Sequence, residues 1–151
     1  MTHEQLSLDE CLKIAEMSEP DSIRDDHFSL CMPSNPIHTI MRTSNHYSSE
    51  VNEDGHFYSI CCYTNSESNS QQLGDYKEKY YTKQIGFFKR KIVLELAEGD
   101  GRIKKYYERL RPIAVAWWDK KVLEERIRKE TAEKQRRESA VAYARDILKG
   151  G

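Results

Sequence analysis

Glycine is scarce, at 7 of 151 residues, and none of it falls into G-x-x-x-x-G-K-[ST] or G-x-G-x-x-G. A phosphate-cradling loop is therefore not spelled out. Neither H-E-x-x-H nor G-x-S-x-G occurs, which removes the zincin and serine-hydrolase signatures. The four cysteines, Cys11, Cys31, Cys61 and Cys62, form no C-x-x-C. That excludes a zinc knuckle and a thioredoxin-like motif, and four thiols are too few for a disulfide scaffold. They read instead as reduced, mostly buried thiols of a cytoplasmic protein. Adjacent Cys61 and Cys62 on a strand would point to opposite faces. No uncharged apolar run approaches the roughly 18 to 20 residues of a membrane span. Met1 to Glu10 is acidic and lacks the basic-then-apolar build of a secretory leader. No internal repeat or sustained heptad is visible.

What the chain has is charge, sorted by position. Residues 1–76 carry 13 Asp+Glu against 3 Lys+Arg, a net of −10, and residues 77–151 carry 12 against 21, a net of +9. The net of −1 conceals an acidic and a basic half. Either the halves fold against each other or pair between subunits, or one of them meets an oppositely charged macromolecule. With 38 % apolar residues and a mean hydropathy of −0.82, one modest core is available.

Patterning predicts an α+β fold: an N-terminal helix, a small hairpin-based antiparallel sheet over about 28–83, and a helical C-terminal half ending in a long charged helix. Ser7 with Glu10 forms a capping box, and Leu8, Cys11, Leu12 and Ala15 recur at helical spacing. A turn-rich acidic connector follows. Strands are expected at Phe28–Met32, at Ile37–His46 and, after a turn at Asn52–Gly55, at His56–Thr64 in the middle of the sheet. Asn65–Gly74 has one apolar residue in ten and reads as a mobile loop. Lys77–Gln84 suits a further strand. For Ile85–Glu98 the apolar spacing and the following Gly99 favour a helix over a strand.

Asp100 is a plausible N-cap for a helix over Arg102–Arg111, with Pro112 at a helix start or kink. Ile113–Trp118 is the most apolar stretch and should dock its helix on the core, anchored by Trp117 and Trp118. Four acid-first i,i+4 pairs follow: Glu124–Arg128, Glu125–Lys129, Glu130–Lys134 and Glu133–Arg137. Lys129–Ser139 holds one apolar residue, Ala132. A compact domain over 1–118 with a partly projecting helix over 119–151 is the expected organisation. Beyond the charged stretch Val141, Ala144, Ile147 and Leu148 restore an apolar stripe.

Three chemical constellations compete with their plain readings. His38, His46, His56, Cys61 and Cys62 lack fixed ligand spacing and read as structural, so no metal is expected. A Cys62 nucleophile with His46 or His56 as its base lacks a third orienting group. Asp21 and Asp75-Tyr76-Lys77 resemble fragments of a metal-dependent nuclease set, a motif short enough to arise by chance. The basic, aromatic stretch 77–111 carries 11 basic against 5 acidic residues. It suits nucleic acid if rings such as Tyr80, Phe88 and Tyr107 are exposed, and a core if they are not.

The leading functional expectation is thus a non-enzymatic interaction protein: an adaptor, regulator or inhibitor without a cofactor. It would dock on a protein partner or complex, or on a second copy, through Val141, Ala144, Ile147 and Leu148. In build it is similar to accessory proteins of phages and mobile elements. The alternative is a nucleic-acid binder using Lys89, Arg90, Lys91, Lys104, Lys105 and Arg109. An acidic surface at Asp25, Asp26, Glu50, Glu53 and Asp54 could instead occupy a basic groove on a partner. A small metal-dependent nuclease is the remaining option.

Overall fold

A computed structural model describes residues 4–34, 36–48, 53–66, 69–86 and 91–150. The fold is α+β, with element order α1 (Leu8–Met17), β1 (Glu19–Ile23), β2 (His27–Cys31), β3 (Ile37–Ser48), β4 (Glu53–Ser66), β5 (Asn69–Ile85), β6 (Lys91–Glu98) and α2 (Arg102–Gly150). The six strands form one antiparallel meander in sequence order, so β4 is central as its two-sided apolar pattern requires. The chain divides into two compact units, residues 1–115 and residues 116–151.

The first helix starts where its cap places it. Ser7 Oγ accepts from the Glu10 backbone N–H, and Glu10 Oε1 accepts from the Ser7 N–H. This reciprocal box satisfies two of the orphan donors at a helix start. The Ser7 bonds hold the Glu10 carboxyl below its ordinary range. α1 buries Cys11, Leu12 and Ala15.

Strand alternation sorts the sheet into a covered face and an open one. Cross-strand pairs Phe28↔Met41, Met41↔Ile60, Leu30↔Thr39 and Thr39↔Cys62 line the covered face, and all six residues are buried. From α2 come Ile103, Tyr107, Leu110 and Ala114. Phe28, Tyr58, Tyr80 and Tyr107 form an aromatic cluster with centroid spacings of 5.2 to 5.5 Å. Such tilted and edge-on pairs add about 0.5–1.5 kcal/mol each beyond area burial. Burial pushes the Tyr58 and Tyr107 hydroxyls up.

A bulge ties the start of the chain to the sheet. Cys62 pairs with Gly74 and Tyr63 with Gln72, so Leu73 is the extra residue. The Leu73 carbonyl accepts from the Leu6 N–H at 2.8 Å, and the Tyr76 hydroxyl donates to the Leu6 carbonyl at 2.5 Å. A Cβ at Gly74 would stand 2.8 Å from Cys11 Sγ, so glycine there lets α1 lie against β5.

Several local expectations are corrected. Residues 19–23 of the acidic connector form β1, a short charged edge strand. Glu53, Asp54 and Gly55 begin β4, opposite Ser48, Tyr47 and His46, rather than making a turn. Of the expected loop at 65–74, Asn65 and Ser66 end β4 and residues 69–74 begin β5, polar residues held by the ladder of a long hairpin. Residues 91–98 are strand β6, not helix: Thr82↔Leu94 and Tyr80↔Leu96 continue the covered face with period two. Gly99, at φ +101°, serves the corner into α2 rather than a helix end. Of the two places expected for Pro112, a helix start or a kink, the first is excluded, since it lies inside α2.

Candidate interaction surfaces

The start of α2 is gripped from the sheet. Glu78 on β5 is 1 % exposed, and its Oε2 accepts from the Ile103 N–H at 3.0 Å. Its Oε1 accepts from the Lys104 N–H at 2.9 Å and from the Tyr80 hydroxyl at 2.9 Å. A carboxylate at a helix N-terminus meets both orphan donors and the positive end of the helix dipole. Asp100, the expected cap, has a lesser share: its Oδ1 accepts from the Arg102 N–H at 3.1 Å. The sequence hid the larger partner, because Glu78 lies 25 residues upstream of Ile103 and resembles one acid in a basic run.

Part of the charge asymmetry is satisfied within the first unit. Arg102 pairs with Asp9, and Arg109 with Glu16 at 3.0 Å. Both partners advance by seven residues, two helical turns, so α1 and the start of α2 run parallel with long side chains bridging them. Arg111 donates to the Arg24 carbonyl at 2.9 Å and to the Tyr107 hydroxyl at 3.2 Å. Each exposed pair contributes only about 0–1 kcal/mol, so the set orients more than it stabilises.

These contacts redraw the basic stretch. Tyr80 and Tyr107 are core, with 4 % and 6 % exposure, and unavailable for stacking. Lys104 pairs with Glu108 at 3.3 Å, Lys105 is exposed, and Arg109 is held by Glu16. Lys91 begins β6, whereas Phe88, Lys89 and Arg90 lie outside the described residues. Of the acidic set, Asp25 and Asp26 are exposed in the β1–β2 turn, Glu53 and Asp54 stand on β4, and Glu50 lies outside the described residues. The hydrogen bond from His27, 2.6 Å long, lowers the Asp26 carboxyl.

The enzyme constellations do not assemble. Asp21 is on β1 and Asp75 on β5, four strands apart, which is about 19 Å at ~4.8 Å per strand. One metal ion cannot bridge them. Cys62 is fully buried, and His56 lies six residues along the same strand, about 20 Å away at ~3.3 Å per residue. His46 pairs opposite Gly55, seven residues from Cys62 along β4. His38 stacks on Tyr63 at 5.4 Å. Among the described residues no group of three His, Cys, Asp or Glu is placed to hold a metal. All four cysteines are free; Cys11 and Cys62 are buried, Cys31 and Cys61 half-buried. The hydrogen bond it shares with Cys62, and burial, push the Cys11 thiol up.

In the second unit every residue from 118 to 150 is exposed. Val141, Ile147 and Leu148 are 44 %, 56 % and 81 % exposed, and Ala144, between them on the same helix face, is exposed too. Val122, Leu123 and Ile127 form a second exposed apolar group. Within the charged stretch Glu125 closes on Arg128 at i,i+3. The docking expected of 113–118 is corrected: only Ala114 is buried, whereas Ile113, Val115 and Trp118 are exposed. Trp117 lies 6.2 Å from Trp118 and carries Lys121 Nζ over its ring at 4.4 Å. Among the described residues no helix is long and apolar enough to cross a membrane.

No family model, curated protein or solved structure matches the chain.

Proposed function

We propose that this is a non-enzymatic interaction protein, an adaptor, regulator or inhibitor, whose C-terminal helical segment docks on a protein partner. One observation carries the reading: residues 118–150 are helical and exposed throughout, yet they hold an apolar stripe at Val141, Ala144, Ile147 and Leu148. Scattered exposed leucines need no explanation, but apolar residues at i, i+3, i+6 and i+7 share one helix face. Fully covering a Val, Ile or Leu side chain is worth about 1.5–3 kcal/mol, so Val141, Ile147 and Leu148, with Ala144 between them, supply the core of a helix-in-groove contact. The flanking charges, Arg137, Glu138, Arg145, Asp146 and Lys149, favour a groove with a rim of mixed charge.

The test is capture of a partner from the source cells by the tagged full chain, compared with Val141→Glu/Leu148→Glu. The reading predicts a saturable partner lost from the variant, with unchanged circular dichroism. Equal capture by both chains contradicts it.

Nucleic-acid binding through Tyr80, Tyr107 and Arg109 is weakened, since both rings are core and Arg109 closes on Glu16.

A further inference from the structure

The sheet has a second face, opposite the core, on which neither α1 nor the buried residues of α2 pack. Alternation places Arg42 of β3, Phe57 of β4, and Lys77, Lys79 and Tyr81 of β5 on it. Arg42, Ser59 and Lys77 stand in one cross-strand row, and Phe57 pairs with Lys79 in the next. Tyr81 is two residues beyond Lys79, which makes it the diagonal neighbour of Phe57, about 7–8 Å away in such a pairing. Opposite Tyr81 stands Gly55, which brings no side chain to compete with the ring.

Cations and rings interleave on this face. Lys79 Nζ lies 5.9 Å from the Phe57 centroid and 5.2 Å from that of Tyr81, and Lys77 Nζ lies 5.0 Å from Phe57. Phe57 and Tyr81 are half-buried, so part of each ring faces outward, while Arg42 and Lys77 are exposed. Asp75, Glu95 and Glu98 bound the patch, opposite Cys61, Tyr81 and Lys79.

From this juxtaposition we infer that the open sheet face is a binding surface for single-stranded nucleic acid. The two rings offer neighbouring stacking positions, and Arg42, Lys77 and Lys79 offer countercharge for the backbone joining the stacked bases. Sheet-borne rings with adjacent cations are how single strands are bound without a groove, because each base has a π-face and each linkage a phosphate. A duplex hides its base faces and would use the cations alone. This surface is distinct from the C-terminal helix and from the stretch 102–111.

The test is fluorescence anisotropy of nuclease-treated full chain with labelled oligo-dT and oligo-U and with a duplex of equal length, from low to physiological salt. Binding is expected to favour the single strands and to fall with salt. In Lys77→Gln/Lys79→Gln, two lost phosphate contacts should flatten the log K against log salt slope by about 1.4, at ~0.7 per contact. Phe57→Leu and Tyr81→Leu should each weaken binding by about 5- to 150-fold with little change in slope. Circular dichroism and a melt confirm the fold of each variant, and Tyr81→Phe, which keeps the ring, should bind like the parent. Absence of binding at low salt overturns the inference. So does preference for the duplex, or binding lost in Lys104→Gln/Lys105→Gln but kept in the sheet variants.

Discussion

The Glu78 carboxylate on the fifth strand accepts the backbone N–H of Ile103 at 3.0 Å, and through that bond a buried acid of the sheet caps the helix that ends the chain. The same carboxylate holds the Lys104 N–H and the Tyr80 hydroxyl. Three donors on one buried acid couple the sheet, the aromatic cluster and the helix start.

Removing that acid should therefore be costly. Glu78→Ala strands two helix N–H groups and the Tyr80 hydroxyl in a buried site, a loss of about 2–4 kcal/mol. Thermal denaturation should show Tm lowered on the order of 10 °C. Glu78→Gln, which keeps the acceptor oxygen, should lose less. A variant as stable as the parent would show that the cap is dispensable.

Gly74→Ala should loosen the first helix. Its Cβ would meet Cys11 Sγ at 2.8 Å and the Leu6 carbonyl at 3.1 Å. Overpacking of this kind costs about 1–3 kcal/mol. Hydrogen exchange should accelerate across residues 8–17 more than in β3 and β4.

Ser7→Ala should cost about 1 kcal/mol, typical for loss of an N-cap hydroxyl. It should also return Glu10 part of the way toward the ordinary carboxylate range, since it removes the Ser7 hydroxyl but leaves the Ser7 backbone N–H, the larger of the two causes that lower it. The sign follows from linkage. A folded-state pKa below the unfolded one gives stability that is present above the unfolded value and lost as pH falls through the folded one. The parent should lose this contribution in the acid range below about pH 4.5, and Ser7→Ala should lose a smaller one. Titration of the Glu10 carboxyl by NMR in both chains checks the direction.

Thiol labelling should divide the cysteines in two. Cys31 and Cys61 are half-buried, and burial raises both thiols, so they should label slowly in the folded chain. Cys11 and Cys62 should label only on unfolding. Mass spectrometry of the alkylated chain distinguishes the four positions, and early labelling of Cys62 would contradict its placement.

Much of the fold is legible in the sequence, and the misses have physical causes. α1 and its box are local, so Ser7 and Glu10 announce them three residues apart. β2, β3 and β4 carry apolar and β-branched residues that favour a sheet wherever they sit. β1 contains Pro20 and three acids or serines, and it exists because β2 supplies a ladder. Residues 69–74 are strand for the same reason, held by pairing with β4 despite their polarity. In β6, Ile92, Leu94 and Leu96 satisfy a period of two while Ile85, Phe88, Ile92 and Leu96 imitate a helix; only pairing with β5 decides between them. The open-face patch draws Arg42 and Phe57 from the acidic half and Lys77, Lys79 and Tyr81 from the basic half. Adding charge along the chain could not reveal a grouping that strand register creates.

The stripe at Val141, Ala144, Ile147 and Leu148 was legible because helical spacing is local, and its exposure is what the structure adds. Deletion of residues 140–151 tests the docking role most directly when the melt and partner capture are measured on the same sample. The account predicts that Tm stays within about 2 °C of the full chain, since no buried side chain is removed, while association is abolished. Retained association, or a Tm that drops by on the order of 10 °C as for loss of a core element, would contradict it.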